Sequence, residues 1–340
     1  MTAGRRRPFA IGALAVGLSL LAGCGPALER LEGPTMGSRY SIQYVAVAGA
    51  PSRDAVQHQV DDLLAEIDRD FSTYRGDSAV SRFNAASAGA CLEMPGPVLH
   101  LVRVGEALSR ASDGAFDLTV GPLLDLWGFG PQSRDERVPS QEERVAVAQR
   151  IGYPHLHIDG KTLCKDAATQ LDFNAIAAGY AVDRMAARFE ALGIHDYLVE
   201  ITGELKASGR RPDGGPWRVA IEAPRSDRRE AERVLALAGY GVSTSGDYRH
   251  YFERDGQRYS HTLDPRSGAP IAHGLASVTV VDRSALQADG LSTLLMVLGP
   301  EQGLAFAERQ GIAALFVSHR GEGFVERAST AFEALPRAEP

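Results

Sequence analysis

The stretch Ala288-Asp289-Gly290-Leu291-Ser292-Thr293 lies inside an apolar pattern that runs from Ala285 to Leu298 and predicts a helix. On a helix, Asp289 and Thr293 lie four residues apart and share one face. A carboxylate beside a hydroxyl makes a pair of hard oxygen donors, suited to Mg²⁺ or Ca²⁺. Spacing alone favours a surface helix with an incidental Asp and Thr. Gly290 costs about 1 kcal/mol relative to Ala in mid-helix, so something should need its lack of a side chain.

The first 24 residues have the pattern of an export signal that ends in a lipid attachment site. A basic segment, Arg5-Arg6-Arg7, precedes an apolar run from Phe9 to Leu21. This run is shorter than the roughly 20 residues that a membrane-spanning helix needs, so it is typical of a signal peptide. Leu21-Ala22-Gly23-Cys24 looks like a bacterial lipobox, which is cleaved before the cysteine that receives lipid. We predict a signal peptide over 1–23, a lipidated tether over 24–32, and an exported bacterial lipoprotein anchored in the membrane and facing the periplasm.

The charge of the chain excludes one class of partner. Its 340 residues carry a formal charge of −7, and removing residues 1–23 takes away three arginines and no acids, which leaves about −10. Nucleic-acid binding needs a basic surface, so we expect no nucleic-acid partner. The remaining chain is long enough for one large core or two smaller ones. No later stretch is apolar enough to cross a membrane, so lipid on Cys24 is the expected anchor.

Two cysteines besides Cys24 occur in the sequence, Cys91 and Cys164. In an oxidising compartment they could form a disulfide, and they could equally be two buried free thiols. The sequence leaves both alternatives open.

Hydrophobic periodicity and end signals predict helices and strands in mixed order. Helices are predicted over 53–71, 97–112, 175–192, 285–298 and 300–310, and after a capping box at Ser140. Strands are predicted over 40–47, 195–201, 205–208, 217–221, 240–244, 275–281 and 312–318, with hairpins at 155–164 and 248–262 and an irregular lead-in over 28–38. The elements follow no regular strand–helix–strand period, which favours an α+β fold over a doubly wound parallel sheet.

Several common catalytic signatures are absent from the sequence. It has no glycine-rich dinucleotide fingerprint after the first strand and no phosphate-binding loop ending in Gly-Lys-Ser/Thr. It also lacks the Gly-x-Ser-x-Gly elbow of a serine nucleophile. The residues by themselves therefore indicate an exported α+β protein with a candidate hard-metal site.

Seven ordered segments extend this interpretation. They are 34–38, 71–74, 113–122, 171–183, 244–248, 260–268 and 288–293, with sequences such as Asp113-Gly114-Ala115-Phe116-Asp117 and Ser260-His261-Thr262-Leu263-Asp264-Pro265. With these segments in this order, the chain resembles the ApbE family of FAD:protein FMN transferases over nearly all of its mature length. The resemblance implies one domain over 33–335, with helices packed on largely antiparallel sheets.

The resemblance also implies a reaction. FAD would be the substrate, and a bound Mg²⁺ would help to break its pyrophosphate. FMN would pass to a Thr or Ser hydroxyl of an exported acceptor protein, and AMP would leave. The acceptors typical of the family are exported domains of redox membrane proteins, such as Rnf-type or sodium-pumping NADH:quinone reductase subunits.

Each matching segment acquires an implied role. FAD would be bound by Met36 and Tyr74 at the flavin, by Ala115, Phe116 and Asp117 at the adenosine part, and by Asp172, with Ala178 and Leu263 nearby in the nucleotide pocket. Mg²⁺ would be held by the carbonyl of Ala175 and by the side chains of Asp289 and Thr293, with Ser292 as a neighbour. The candidate catalytic residues are His261, Asp264 and Asp289.

His261 has two interpretations that the sequence leaves open. It is a candidate proton acceptor for the incoming hydroxyl, or a group that orients phosphate, because it is set at a hairpin end beside Asp264. It could equally be a structural histidine that fixes the Asp264-Pro265 turn. Ala178 and Thr202 depart from the family pattern, which often has Lys and Gly at these places. We further expect Gly290 to let its helix approach the loop at 172–178.

Two other functions compete with the transferase. The same metal site with water as nucleophile would make an FAD pyrophosphatase that releases FMN and AMP. A non-enzymatic flavin-binding lipoprotein, with a structural metal, is the second alternative.

Overall fold

The computed structural model describes residues 27–47, 49–131, 136–224, 231–247, 251–321 and 323–337. The predicted signal peptide and the lipidation site Cys24 lie outside these residues. The helices are α1 (Arg53–Phe71), α2 (Ala79–Ala85), α3 (Gly96–Ala111), α4 (Gly121–Trp127), α5 (Gln141–Ala148), α6 (Ala177–Ala191), α7 (Ala285–Gln310) and α8 (Thr330–Glu333). In the described part of the chain, none of them is long and apolar enough to span a bilayer.

The described residues form seventeen strands beside the helices. The first nine are β1 (Ala27–Thr35), β2 (Ser38–Ala46), β3 (Cys91–Glu93), β4 (Leu156–Asp159), β5 (Thr162–Lys165), β6 (Tyr197–Ile201), β7 (Glu204–Ser208), β8 (Trp217–Glu222) and β9 (Ala231–Leu237). The others are β10 (Tyr240–Gly246), β11 (Tyr251–Arg254), β12 (Gln257–Ser260), β13 (Leu263–Asp264), β14 (Ala269–Pro270), β15 (Leu275–Asp282), β16 (Ala313–Arg320) and β17 (Gly323–Ala328).

A central sheet of eight strands organises the molecule. Its order is β1-β2-β6-β7-β10-β15-β16-β17, and each neighbouring pair is antiparallel. The α+β prediction with largely antiparallel sheets is therefore confirmed.

The two faces of the central sheet are covered differently. Along β6, Tyr197, Val199 and Ile201 point into the larger core, which packs the sheet against α1, α3, α6 and α7. The opposite face packs on the β8–β9 pair, where Trp217 and Val219 contribute to a second core. This alternation is the expected period of two for a strand covered on both sides. The helix side carries the candidate site.

Helix ends follow the sequence signals closely. The described α1 has the predicted bounds, and Ser52 Oγ accepts a hydrogen bond from Ala55 N at 3.3 Å, as expected of an N-cap. Helix α7 includes both predicted helices, with a break at Gly299, where φ is 77°. Helix α6 begins at Ala177 rather than Ala175, because Ile176 N and Ala177 N both bond to Phe173 O and form a turn first. Ala175 therefore lies in a turn.

The irregular lead-in predicted over 28–38 was wrong. Residues 27–35 form β1, paired in register with β2 from Ala27↔Ala46 to Thr35↔Ser38. The predicted tether over 24–32 therefore overlaps this strand. Pro34 breaks the sequence pattern of a strand, but an edge strand tolerates proline because one side of it needs no ladder donor. β1 lies at the edge of the central sheet.

The open question about the cysteines has an answer in the fold. Cys91 of β3 and Cys164 of β5 are cross-strand partners and form a disulfide across 73 residues of sequence. The bond lies in a separate three-stranded sheet, β3-β5-β4. It ties that small sheet together rather than the central one.

Candidate active site

A cavity of about 370 Å³ collects residues from six separate segments of the sequence. The predicted site residues that line it are Ala115, Phe116, Asp117, Asp172, Ala175, Ala178, His261, Leu263, Asp289 and Thr293. Its wall also includes Thr202, Glu204 and the end of β10. Elements that are far apart in the chain therefore meet at one place on the helix side of the sheet.

Asp289 is buried at the floor of this cavity and is held by the start of α6. Only 4% of Asp289 is exposed, and its Oδ2 accepts a hydrogen bond from Gly179 N at 2.8 Å. The first N–H groups of a helix lack partners within the helix, and a carboxylate there is stabilised by the helix dipole. A Cβ on Gly179 would lie 2.3 Å from Ala285 O. Gly179 therefore permits the close contact of α6 and α7 that places Asp289.

Gly290 serves the same packing from the other side, as the sequence predicted. A Cβ on Gly290 would lie 2.5 Å from Leu108 Cδ1 and 3.0 Å from Ile176 Cγ2. Ile176 belongs to the loop between Asp172 and Ala178. Helix α7 thus approaches this loop because position 290 has no side chain.

Hydroxyl groups of β10 extend the floor next to Asp289. Ser243 Oγ lies 3.5 Å from Asp289 Oδ1, 3.4 Å from Glu204 Oε1 and 3.1 Å from Ser292 Oγ. Ser245 Oγ lies 2.8 Å from Ser292 Oγ and 3.3 Å from Thr293 Oγ1. Thr293 faces the cavity. Ser292 is fully buried behind it, and its Oγ also donates to the carbonyl of Asp289 at 2.9 Å.

Glu204 is a site residue that the sequence did not identify. It begins β7 and lines the cavity, and its Oε2 accepts a hydrogen bond from Thr202 Oγ1 at 2.9 Å. Burial raises the pKa of Asp289 well above its usual range, and the charge of Glu204 raises it further. Thr202 has a φ of 59°, a strained conformation for a β-branched residue. The sequence signal that could have identified Glu204 is Thr202-Gly203-Glu204, in which a hydroxyl stands two residues before an acid at a Gly turn.

The donors at the floor suit a hard divalent cation. A buried carboxylate, Asp289, and a half-buried one, Glu204, repel each other, and such a pair favours a bound cation. The described residues contain no group of three or more His, Cys, Asp or Glu that could form a full protein cage. Mg²⁺ does not need one, because it is commonly bound by one or two carboxylates with water and substrate phosphates. The carboxylate of Asp289, the hydroxyl of Thr293 and the carbonyl of Ala175 fit that pattern.

Asp117 shapes the wall formed by the segment 115–119. Its Oδ1 accepts hydrogen bonds from Thr119 N at 2.8 Å and Thr119 Oγ1 at 2.7 Å, and its Oδ2 accepts from Tyr153 N at 2.8 Å. Burial raises the pKa of Asp117. Since three protein donors occupy this carboxylate, its structural effect is to tie the segment 117–119 to Tyr153 beside the cavity.

Asp172 lies between the main cavity and the neighbouring ones. It is 5% exposed, and its Oδ1 accepts a hydrogen bond from Asn174 N at 2.8 Å. Burial, with a smaller effect of Asp125, raises the pKa of Asp172 to about 6. It lines both the main cavity and one of about 420 Å³ that includes Tyr74.

His261 and Asp264, both predicted as catalytic residues, lie differently with respect to the cavity. His261 lines the cavity, and its ring centroid lies 6.5 Å from that of Phe129. Asp264 lies outside the lining and is paired with Arg266, whose Nη2 is 2.8 Å from Asp264 Oδ2. Its backbone carbonyl accepts from Gly268 N at 2.9 Å. The structure thus brings His261, but not Asp264, to the other site residues.

Met36 and Tyr74 lie at the mouth, in an adjacent cavity of about 490 Å³. Asn174 lines both this cavity and the main one. Tyr74 is 78% exposed and Met36 is 37% exposed. The contiguous cavities form an extended path from an exposed aromatic mouth to a buried acidic floor.

Comparison with known proteins places this geometry in a family. The model of the ApbE family matches residues 36–316. The FAD:protein FMN transferase of Vibrio cholerae serotype O1 is 44% identical over 319 residues, which cover 93% of this chain and 96% of the relative. The FAD:protein FMN transferase of Escherichia coli K12 is 38% identical over 313 residues, which cover 90% of this chain and 88% of that relative. The apo crystal structure of the Pseudomonas stutzeri flavinyl transferase ApbE has a TM-score of 0.87 and 59% identity, and the match covers 93% of this chain and 98% of that one. The chain belongs to the ApbE family.

Proposed function

We propose that this protein is an FAD:protein FMN transferase that uses Mg²⁺ to move FMN from FAD to a Thr or Ser hydroxyl of an acceptor protein. Family membership and the names of the relatives support the activity. The observation that carries the proposal is the convergence of six sequence segments on a path that ends at Asp289, Glu204 and Thr293. Such a path suits a long nucleotide whose pyrophosphate reaches an acidic, metal-compatible floor.

The proposed reaction is a phosphoryl transfer. The acceptor oxygen attacks the phosphorus of the FMN half of FAD, and a new phosphoester bond forms. The bond between that phosphorus and the bridging oxygen breaks, so AMP leaves with this oxygen. The proton of the acceptor hydroxyl passes to a base and then to the AMP phosphate or to solvent.

Different residues of the chain would perform different parts of this reaction. Ala175, Asp289 and Thr293 would hold Mg²⁺, which when bound neutralises the pyrophosphate charge. His261 lines the cavity and is the candidate proton acceptor. The wall at 115–117 and Asp172 would position the nucleotide, while Met36 and Tyr74 would contact the flavin. Positioning and charge neutralisation are the main contributions a protein makes to this class of reaction.

We further propose where this protein is located and which class of protein accepts the FMN. The basic segment, the short apolar run and Cys24 support an exported, lipid-anchored protein that faces the periplasm. An acceptor would then be an exported domain of a redox membrane protein, of the Rnf or sodium-pumping NADH:quinone reductase type. Mass spectrometry of the protein from membranes tests the lipid: a lipidated N-terminal cysteine at position 24 is expected, and an intact 1–23 segment would contradict it.

One assay separates the transferase from its two rivals. The protein is incubated with FAD, Mg²⁺ and the recombinant soluble domain of a sodium-pumping NADH:quinone reductase subunit. We expect a fluorescent acceptor band and one AMP per flavin attached. Free FMN and AMP without a fluorescent band would indicate the pyrophosphatase, and bound but unchanged FAD would indicate a flavin-binding lipoprotein.

A further inference from the structure

A second large cavity lies on the face of the central sheet that packs on the β8–β9 pair. It has a volume of about 580 Å³, within the usual range for ligand sites. Its floor crosses four adjacent strands, with Ser41 on β2, Leu198 on β6, Leu205 on β7 and Val242 on β10. Its wall is the continuous run 218–222 of β8. It is therefore a groove between a strand edge and a sheet face.

This groove meets the candidate active site at one point. Thr202, Glu204 and Thr244 line both cavities. Glu204 faces Ser243 Oγ at 3.4 Å, and the same hydroxyl lies 3.5 Å from Asp289 Oδ1. A hydroxyl that enters along the groove would thus arrive next to the acidic floor. It would come from the side opposite to the mouth at Met36 and Tyr74, which is lined by α1.

The groove has the features of a site for an extended peptide. Among the described strands, β8 pairs with β9 alone, so its second edge is not used within the sheet. An edge strand is a template for a further strand, whose backbone supplies the hydrogen bonds. The lining carries both signs of charge, with Arg39 and Arg218 facing a set of glutamates that includes Glu32 and Glu222. A mixed polar lining suits a polar, extended segment better than an apolar helix.

We propose that this groove binds the hydroxyl-bearing segment of the acceptor protein, in extended form along β8, and delivers its Thr or Ser to the junction at Thr202 and Glu204. The inference rests on the proposed function, since it requires a protein acceptor. It assigns the two substrates to opposite faces of the sheet. FAD enters on the helix side, the acceptor enters on the β8 side, and they meet at the Thr202–Glu204 turn.

A groove-filling substitution tests this assignment. Ser41→Trp would place a large side chain on the floor, whereas Gln43→Trp, on the same strand and the same face but outside the groove lining, is the matched control. With the quinone reductase domain as acceptor, we expect Ser41→Trp to raise the KM for the acceptor at least ~10-fold, equivalent to the loss of about 1.4 kcal/mol of binding. The Kd for FAD should stay within about twofold of wild type for both variants, which also shows that they fold.

Hydrogen exchange provides a measurement that needs no variant. Adding the acceptor domain to the wild-type protein should slow amide exchange in 217–222 and 38–41. An unchanged KM for the acceptor in a folded Ser41→Trp variant would overturn the assignment of the groove as the acceptor site. So would slower amide exchange confined to other surfaces, such as the β11–β12 hairpin. If the wild-type protein attaches no flavin to the domain, the proposed function fails, and the groove assignment fails with it. If the wild-type protein attaches flavin but the KM and the exchange do not change as expected, only the groove assignment fails.

Discussion

The floor and the mouth of the path formed by the contiguous cavities are built in opposite ways. At the floor, Asp289 is 4% exposed, its carboxylate accepts from Gly179 N, and the hydroxyl of Ser243 on β10 lies beside it. At the mouth, Tyr74 is 78% exposed, and its side chain projects from a polar loop. Buried groups with fixed partners can stabilise charge that develops in a transition state, whereas exposed aromatic groups mainly contribute contact area. We therefore expect changes at the floor to alter kcat and changes at the mouth to alter the KM for FAD.

Removing the charge at the floor should have the largest effect. Asp289→Asn keeps an oxygen that can accept from Gly179 N, so the fold should persist, but it removes the charge of a proposed metal ligand. We expect kcat for FMN transfer to fall by about 10²–10³, the usual loss when one electrostatic stabiliser is removed. Initial rates of acceptor fluorescence measure this.

Asp264→Asn is the matched control for that substitution, since Asp264 lies outside the cavity and pairs with Arg266. It should change kcat by less than about threefold, in line with the small energy of partly exposed ion pairs. Equal losses in the two variants would contradict the assignment of the floor.

Between floor and mouth, Asp172 should make stability depend on pH. Burial raises its pKa in the folded state to about 6, above the ordinary value of about 3.9 in an unfolded chain. Its favourable contribution is therefore fully present below about pH 4 and is lost as pH rises through 6. The free energy of unfolding should fall by up to about 3 kcal/mol across this window. Urea unfolding of wild type and Asp172→Asn at pH 4 to 7 measures the difference, and parallel pH curves for the two proteins would contradict it.

Truncating the mouth should have the smallest effect, and only on binding. Tyr74→Ala removes an exposed ring, so we expect no change in stability and a KM for FAD that rises about 3- to 10-fold, as for the loss of one aromatic contact. Tyr251→Ala is the control, because Tyr251 is another exposed tyrosine outside the lining of these cavities. A drop in kcat with unchanged KM would remove the distinction between mouth and floor.

Local signals predicted much of this fold and part of the site. Ser52 and the spacing of Val56, Val60 and Leu63 specify α1 because caps and helical periodicity are local properties. Strand β1 was missed because its stability comes from pairing with β2, which a Gly-Pro sequence does not reveal. Likewise, the disulfide depends on the cross-strand register of Cys91 and Cys164.

The candidate site shows the same difference between local sequence signals and contacts that depend on the fold. Asp289 and Thr293 lie four residues apart on one helix, but this spacing alone favoured an incidental pair, and the resemblance to the ApbE family made them candidate metal ligands. Glu204 was missed because it reaches Ser243 only through the antiparallel pairing of β7 with β10 and the packing of α7. No spacing in the sequence encodes that contact. His261 and Asp264 were both candidate catalytic residues at one hairpin end, and in the structure His261 lines the cavity while Asp264 pairs with Arg266 in a tight turn.

The most direct test of the acidic floor is crystallography of the protein with FAD and Mn²⁺, using the anomalous signal of manganese to locate the ion. We predict one peak bounded by the Asp289 carboxylate, the Thr293 hydroxyl and the Ala175 carbonyl, adjacent to the FAD pyrophosphate, and no such peak in Asp289→Asn. A peak at another place, or FAD bound with its pyrophosphate away from Asp289, would contradict the account.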